Sequence, residues 1–161
     1  MPEYKKYIRC HIVKATPMTR GGSNSLRGKE TPQWENPAEE GYHVVYPDGY
    51  ESWCPKAQFE AAGRLIDGMT FGQAIEAMKQ GRKVARRGWN GKGMYIWVMP
   101  GSTITNCPNI TDPHLKAISE ANGGTVTFTG SIRMKTATGE VLTGWLASQT
   151  DMLAEDWEIV D

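Results

Sequence analysis

From Gly93 to Met99 the chain reads as a β-strand that is apolar on both faces, which excludes a single open layer. Met94, Ile96 and Val98 line one face; Tyr95, Trp97 and Met99 line the other. One face is expected to pack on a helix and the other on a second layer or a partner subunit. In a unit of about 90 residues a partner subunit is the natural cover for such a face, and an oligomer is predicted.

The helix that serves the first face is legible upstream. Thr70 and Gln73 have capping-box spacing, Phe71, Ala74, Ile75 and Met78 fall on one helical stripe, and Gly81 ends it. Lys83 to Arg86 reads as a strand. Asp112-Pro113 opens a second short helix with Leu115, Ile118 and Ala121 turned inward and Gly123-Gly124 as its exit. Val126, Phe128, Ile132 and Met134 alternate as a strand broken at Gly130. Thr138-Gly139 turns the chain into Val141 to Trp145. Ser148 and Asp151 have S-x-x-D spacing for one helical turn, and Trp157 to Val160 closes as a strand.

A smaller unit precedes these elements. Ile8, Cys10 and Ile12 alternate with polar residues, a half-buried strand pattern. The stretch 17–40 is polar and rich in Gly, Pro and Ser, and is expected to be a long surface loop. Tyr42 to Tyr46 and Tyr50 to Trp53 flank Pro47-Asp48-Gly49 as a hairpin, and Pro55 opens a helix that carries Ala57 and Phe59 and stops at Gly63. The predicted class is α+β: an antiparallel sheet with short helices packed on one side, preceded by a small ββα-like N-terminal unit. The predicted domains are 1–66 and 67–161.

The 161 residues suffice for one ordinary domain or two small ones, and 39% apolar with 22% charged residues describes a folded chain. Zero formal net charge gives no bulk attraction to nucleic acid or to an anionic membrane, and neither is expected as a partner. No apolar run approaches a spanning helix, and the N-terminus is too polar for a signal peptide. Cys10, Cys54 and Cys107 form no C-x-x-C pair and suit reduced thiols in a cytoplasm. Neutrality conceals a separation: Lys79 to Lys92 holds six bases and no acid, Asp151 to Asp161 five acids and no base. Such strips can meet across a fold, or one or two arginines can serve a phosphate.

Catalytic patterns are weak. His11, His43 and His114 lie in different segments without metal-site spacing, and no metal or cofactor is expected. Cys54 with His43 lacks a third orienting group, and Glu155 and Asp156 point apart in any regular element. There is no P-loop. The glycines at 88, 91 and 93 precede a strand rather than open a helix, so they make no dinucleotide fingerprint. Binding chemistry is richer. Trp89 sits among Gly88, Asn90 and Gly91, where an indole can stack on a base for about 1–3 kcal/mol. Asn90, Ser148, Gln149, Thr150 and Asp151 offer donors and acceptors, and Arg86, Arg87 and Lys92 offer charge for phosphates. Trp97, Trp145 and Trp157 read as core. Ser148 and Asp151 can also be explained as a turn's cap alone.

Four ordered blocks carry a resemblance: 69–77, Val84 to Met94, Pro100-Gly101-Ser102 and Trp145 to Trp157. Together they resemble the second Thoeris anti-defence family of phage proteins, with the stretch from about Cys107 to Thr125 as an insertion. The resemblance implies a sponge rather than an enzyme. Family members capture cyclic ADP-ribose isomers made by Thoeris immune proteins, in the host cell cytoplasm, as homotetramers with pockets between subunits. Some also hold cyclic dinucleotides of the CBASS type. Carried over by motif, Trp89 and Asn90 would stack on and contact the ligand, and Ser148, Gln149 and Asp151 would add polar contacts, with Arg86 and Met134 as further candidates. The N-terminal unit resembles a small accessory domain of phage proteins, a likeness that carries no function. Two other classes stay open on the residues alone: a nucleotide-hydrolysing enzyme, and a structural or nucleic-acid-binding phage module that uses the basic strip.

Overall fold

The computed structural model describes residues 11–106 and 109–160, and the chain divides into two compact units, Met1–Leu65 and Ile66–Asp161. Both are α+β with antiparallel sheets. The expected strand at Ile8 and Cys10 falls outside the described residues, as does Cys107.

In the first unit β1 (Lys14–Thr19), β2 (Glu40–Val45) and β3 (Glu51–Pro55) form a sheet in that order, with α1 (Arg20–Leu26) and α2 (Lys56–Ala62). The hairpin and the helix between Pro55 and Gly63 lie where the sequence put them. The expected loop over 17–40 does not. Its first third completes a strand and forms a helix, because Thr19 caps α1 through the amide of Gly22 and Met18 pairs with Gly41. β1 is mostly exposed, so no apolar alternation announced it. Gly41 is required by close approach: a Cβ there would collide with the ring of Trp53 and the carbonyl of Cys54. Trp53 in turn donates its indole N–H to the Met18 carbonyl at 3.0 Å, and the Arg20 guanidinium lies 4.3 Å above its ring. His43 is opposite Trp53 and Cys54 is opposite Tyr42, so imidazole and thiol point to opposite faces. The buried His43 ring instead meets the Ser23 hydroxyl at 2.9 Å.

The second unit runs α3 (Phe71–Lys79), β4 (Lys83–Arg86), β5 (Tyr95–Met99), β6 (Ser102–Thr105), α4 (Pro113–Ala121), β7 (Thr125–Phe128), β8 (Ser131–Lys135), β9 (Val141–Thr143), α5 (Gln149–Met152) and β10 (Trp157–Val160). Five strands form one antiparallel sheet in the order β10-β4-β5-β8-β9. α3 begins at the full capping box of Thr70 and Gln73 and packs on β10, β4 and β5. Its own Met78 and, beneath it, Val84, Ile96 and Trp157 are fully buried, each worth about 1.5–3 kcal/mol of apolar burial.

The alternating stretch that Gly130 breaks is two strands, and they lie in two different sheets. β7 leaves to pair with β6, and the pair carries α4 between them. In α4 the inward line is Leu115 and Ser119. Ile118 is 47% exposed and Ala121 is exposed, contrary to the expected Leu115, Ile118, Ala121 stripe. Leu115 and Ser119 stand one turn apart on the face against β7, and Ile118 is rotated off it.

Candidate ligand-binding site

β4 ends at Arg86, and the chain bends through Gly88, Trp89 and Asn90. The bend is held from the C-terminal segment. Asp156 accepts the Arg86 Nε–H at 2.8 Å and the Gly88 amide at 2.7 Å, and its backbone carbonyl accepts the Arg87 amide at 3.2 Å. A Cβ added at Gly88 would stand 2.8 Å from the Asp156 carboxylate, so that side chain would have to shift. The basic and acidic strips of the sequence therefore meet inside one fold, with Arg86 bridging Asp151 and Asp156.

α5 supplies the other wall. Ser148 caps it in a full capping box with Asp151, which is 8% exposed. Asp151 Oδ1 accepts the Trp89 indole N–H at 3.0 Å and Arg86 Nη1 at 2.9 Å. Its Oδ2 accepts the Ser148 amide at 3.0 Å and the Ser148 hydroxyl at 2.6 Å. Four donors fill the four lone-pair positions of a carboxylate. Burial works to raise the Asp151 pKa, but the hydrogen bonds from Ser148, Trp89 and Arg86 outweigh it and hold the group at about 2. The Arg86 hydrogen bond lowers Asp156 as well, against the opposing effect of burial.

Trp89 is half-buried and belongs to an aromatic cluster. Its ring centroid lies 5.4 Å from that of Trp157 and 6.0 Å from that of Trp145, both edge-on, and Phe71 lies 5.3 Å from Trp157. Edge-to-face packing of this kind adds about 0.5–1.5 kcal/mol per pair beyond burial. Trp157 donates its own indole N–H to the Asp151 carbonyl at 3.0 Å. The indole of Trp89 is thus fixed on one side by rings and at its nitrogen by a carboxylate.

The residues singled out from the sequence fall into three groups. Trp89, Arg86, Ser148 and Asp151 converge in one hydrogen-bonded cluster. Asn90 and Gln149 flank it, exposed, and among the described residues their amides have no partner. Met134 is 6% exposed in β8, paired with Ile96 and Leu142, and its side chain sits in the core of the subunit. Asp151 and Ser148 are engaged with the protein's own groups, Ser148 giving two of the four hydrogen bonds that Asp151 accepts. Asp156 was missed as a site residue. The available signal was charge complementarity between the two strips, not the Glu155-Asp156 pairing. Among the described residues no three His, Cys, Asp or Glu side chains converge as a metal site requires.

The residues that build this cluster, from Phe71 to Trp157, lie within 69–160, and that stretch matches the family model of the Thoeris anti-defense 2-like domain. The chain belongs to the Thoeris anti-defense 2-like family. It is 38% identical over 92 residues to Thoeris anti-defense 2 of Bacillus phage SP01, which covers 57% of this chain and 94% of that protein. The first unit lies outside the matched stretch. No helix among the described residues is long and apolar enough to cross a membrane.

Proposed function

We propose that this chain counteracts a Thoeris-type defence by binding a cyclic ADP-ribose signal and withholding it intact, in the cytoplasm of an infected host. The observation that carries the reading is the fixed indole of Trp89 on a glycine-flanked bend, beside the unpartnered amides of Asn90 and Gln149. A ring held before the ligand arrives loses little entropy on binding, the condition for tight capture. The nearest carboxylates support binding over catalysis. Asp151 has no free lone pair and Asp156 is held by Arg86 and Gly88, so neither is poised as a general acid or base near neutrality. Family membership and the likeness to Thoeris anti-defense 2 of phage SP01 support an anti-defence role.

In this reading the chain works as a homo-oligomer, a tetramer by the family resemblance, with a neighbouring subunit completing the pocket and cyclic dinucleotides as candidate further ligands. Apolar side chains left exposed between 141 and 153 support self-association: Val141, Leu142, Met152 and especially Leu146 and Leu153, at 87% and 82% exposure. The test is to incubate the protein with a cyclic ADP-ribose isomer, record the complex by native mass spectrometry, and heat-denature it. Stoichiometric binding and recovery of unaltered ligand are expected. Recovery of an opened or hydrolysed ligand overturns sequestration, and absence of a complex overturns binding.

A further inference from the structure

The five-stranded sheet has a second face, opposite α3, and its chemistry is not used by the Trp89 site. Strand register puts Tyr95 opposite Lys135 and Trp97 opposite Arg133, with Val141 and Thr143 next in line on β9. Lys83 of β4 joins them: its ammonium lies 5.2 Å from the Tyr95 ring centroid, and that of Lys135 lies 5.8 Å from it. Val84, Ile96 and Met134 alternate with these residues and point the other way, into the core beneath α3.

Three cations therefore surround two half-buried aromatic rings, and none has a carboxylate partner among the described residues. Lys135 donates only to the Gly93 carbonyl, at 3.1 Å. Arg133 is the decisive group. Its Nε is sealed from solvent and has no hydrogen-bond partner among the described residues. A buried guanidinium N–H without an acceptor costs on the order of 1–3 kcal/mol or more, a cost that an arriving anion would remove. The acid that shares this face is Glu158 on β10, opposite Ala85 of β4, with β4 and β5 between it and β8. On β5, β8 and β9 the remaining residues of the face (Met99, Ser131, Val141, Thr143) are uncharged.

We infer that this face binds a small phosphate-bearing ligand, with Arg133, Lys83 and Lys135 on the phosphate oxygens and Trp97 beside the rest of the molecule. The cations lie on β4 and β8, on either side of the β5 strand that carries Tyr95 and Trp97, bounded by Glu158 on one side and by uncharged β9 on the other. That footprint fits one or two phosphates rather than the track of a nucleic-acid backbone. The inference does not depend on the Trp89 reading, because the two sets of residues share no side chain.

The test uses the full chain with inorganic pyrophosphate as probe, followed by Trp97 fluorescence and calorimetry. Because six tryptophans contribute, Trp97→Phe serves as the control that assigns the signal. Saturable binding that weakens with salt is expected, reduced about tenfold or more by Arg133→Gln and by the double variant Lys83→Gln/Lys135→Gln, and unchanged by Trp89→Phe. The double variant keeps the test decisive should Arg133→Gln fail to fold. No binding, or binding that both folded variants retain, overturns the inference. Tighter binding of a single-stranded oligonucleotide than of pyrophosphate overturns the assignment to a small ligand. A change of oligomeric state in the double variant, with no pyrophosphate bound by the wild type, shows instead that a second subunit covers the face.

Discussion

The Trp89 indole N–H points at Asp151 Oδ1 across 3.0 Å, and the same oxygen receives Arg86. Residues 62 positions apart in sequence are thereby locked: the bend after β4 is oriented by the one-turn helix α5. This contact makes Trp89 both a packed aromatic and a presented one, and its two roles are separable by substitution.

Trp89→Phe keeps a ring against Trp145 and Trp157 but removes the N–H. It is expected to fold, with stability lowered by about 1 kcal/mol, and to lose about tenfold in ligand affinity through loss of ring orientation. Trp89→Ala should abolish capture and cost more stability, short of the 3–5 kcal/mol of a fully buried tryptophan because the residue is half-buried. Thermal melts beside calorimetry of the cyclic ADP-ribose complex check both. Wild-type affinity in Trp89→Ala would remove this residue from the site.

Asp151→Asn replaces an acceptor-only group by one that offers two N–H donors to a pocket of four donors. Whichever oxygen the NH2 replaces, either Arg86 and the Trp89 indole or the Ser148 amide and hydroxyl lose their acceptor, and destabilisation of about 1–3 kcal/mol is expected, with weaker ligand binding as a consequence. The diagnostic is the ratio of the two effects. A direct ligand contact would lower affinity with little change in melting temperature; a positioning residue lowers both.

Acid should loosen this cluster first. Asp151 has a folded pKa of about 2 against an ordinary 3.8, so its folded form binds the proton more weakly than the unfolded chain does. The stabilisation is complete above about pH 4 and is lost as pH falls toward 2, on the order of 2 kcal/mol in all. Asp156, lowered by Arg86, contributes in the same direction. Urea melts from pH 6 to pH 2 should show a steepening loss below pH 4 that Asp151→Asn lacks. An identical pH profile in the variant would exclude Asp151 as the source.

Much of this arrangement was readable in the chain, and the failures share a cause. The capping boxes at Thr70 and Ser148, the hairpin around Pro47-Asp48-Gly49 and the helix stripe over α3 are local patterns in which neighbours in sequence satisfy one another. β1 and α1 were invisible because their stabilising groups are distant: Glu39 and Glu35 on Arg20, His43 on Ser23 and the Trp53 indole on Met18. In the site, Trp89 stood out through its glycine neighbours, and the two charge strips announced that they could meet. What spacing did not reveal was that Asp151 would spend every lone pair internally, or that Met134 would turn inward with Ile96. Those outcomes depend on register, and one residue of slip reverses a strand's faces.

A helix-cap variant offers a stability change away from the ligand. Thr70→Ala removes the acceptor for the Gln73 amide and half of the capping box that starts α3. A loss of about 1 kcal/mol is expected, with ligand affinity unchanged. A fall in affinity larger than the shared loss of stability would show that α3 communicates with the Trp89 bend, for which its Phe71 ring against Trp157 gives a route.

Gly88→Ala tests whether the bend itself is required. The new methyl would stand 2.8 Å from Asp156 Oδ2 and 3.2 Å from the Arg86 guanidinium, so the carboxylate has to leave the Gly88 amide. Once it moves, the bend loses its clamp and Trp89 its orientation, while the sheet beneath keeps its packing. Gly81→Ala is the matched control: φ is +84° there with open space around the new atom, so it carries the backbone penalty of a left-handed position, about 1 kcal/mol, without touching the clamp. Affinity for the cyclic nucleotide should fall about tenfold or more in Gly88→Ala and stay within about twofold in Gly81→Ala at a comparable melting temperature. Equal affinities in the two variants would mean that the Asp156 clamp does not set the ligand-facing geometry, and the site would then have to be sought on another surface of the subunit.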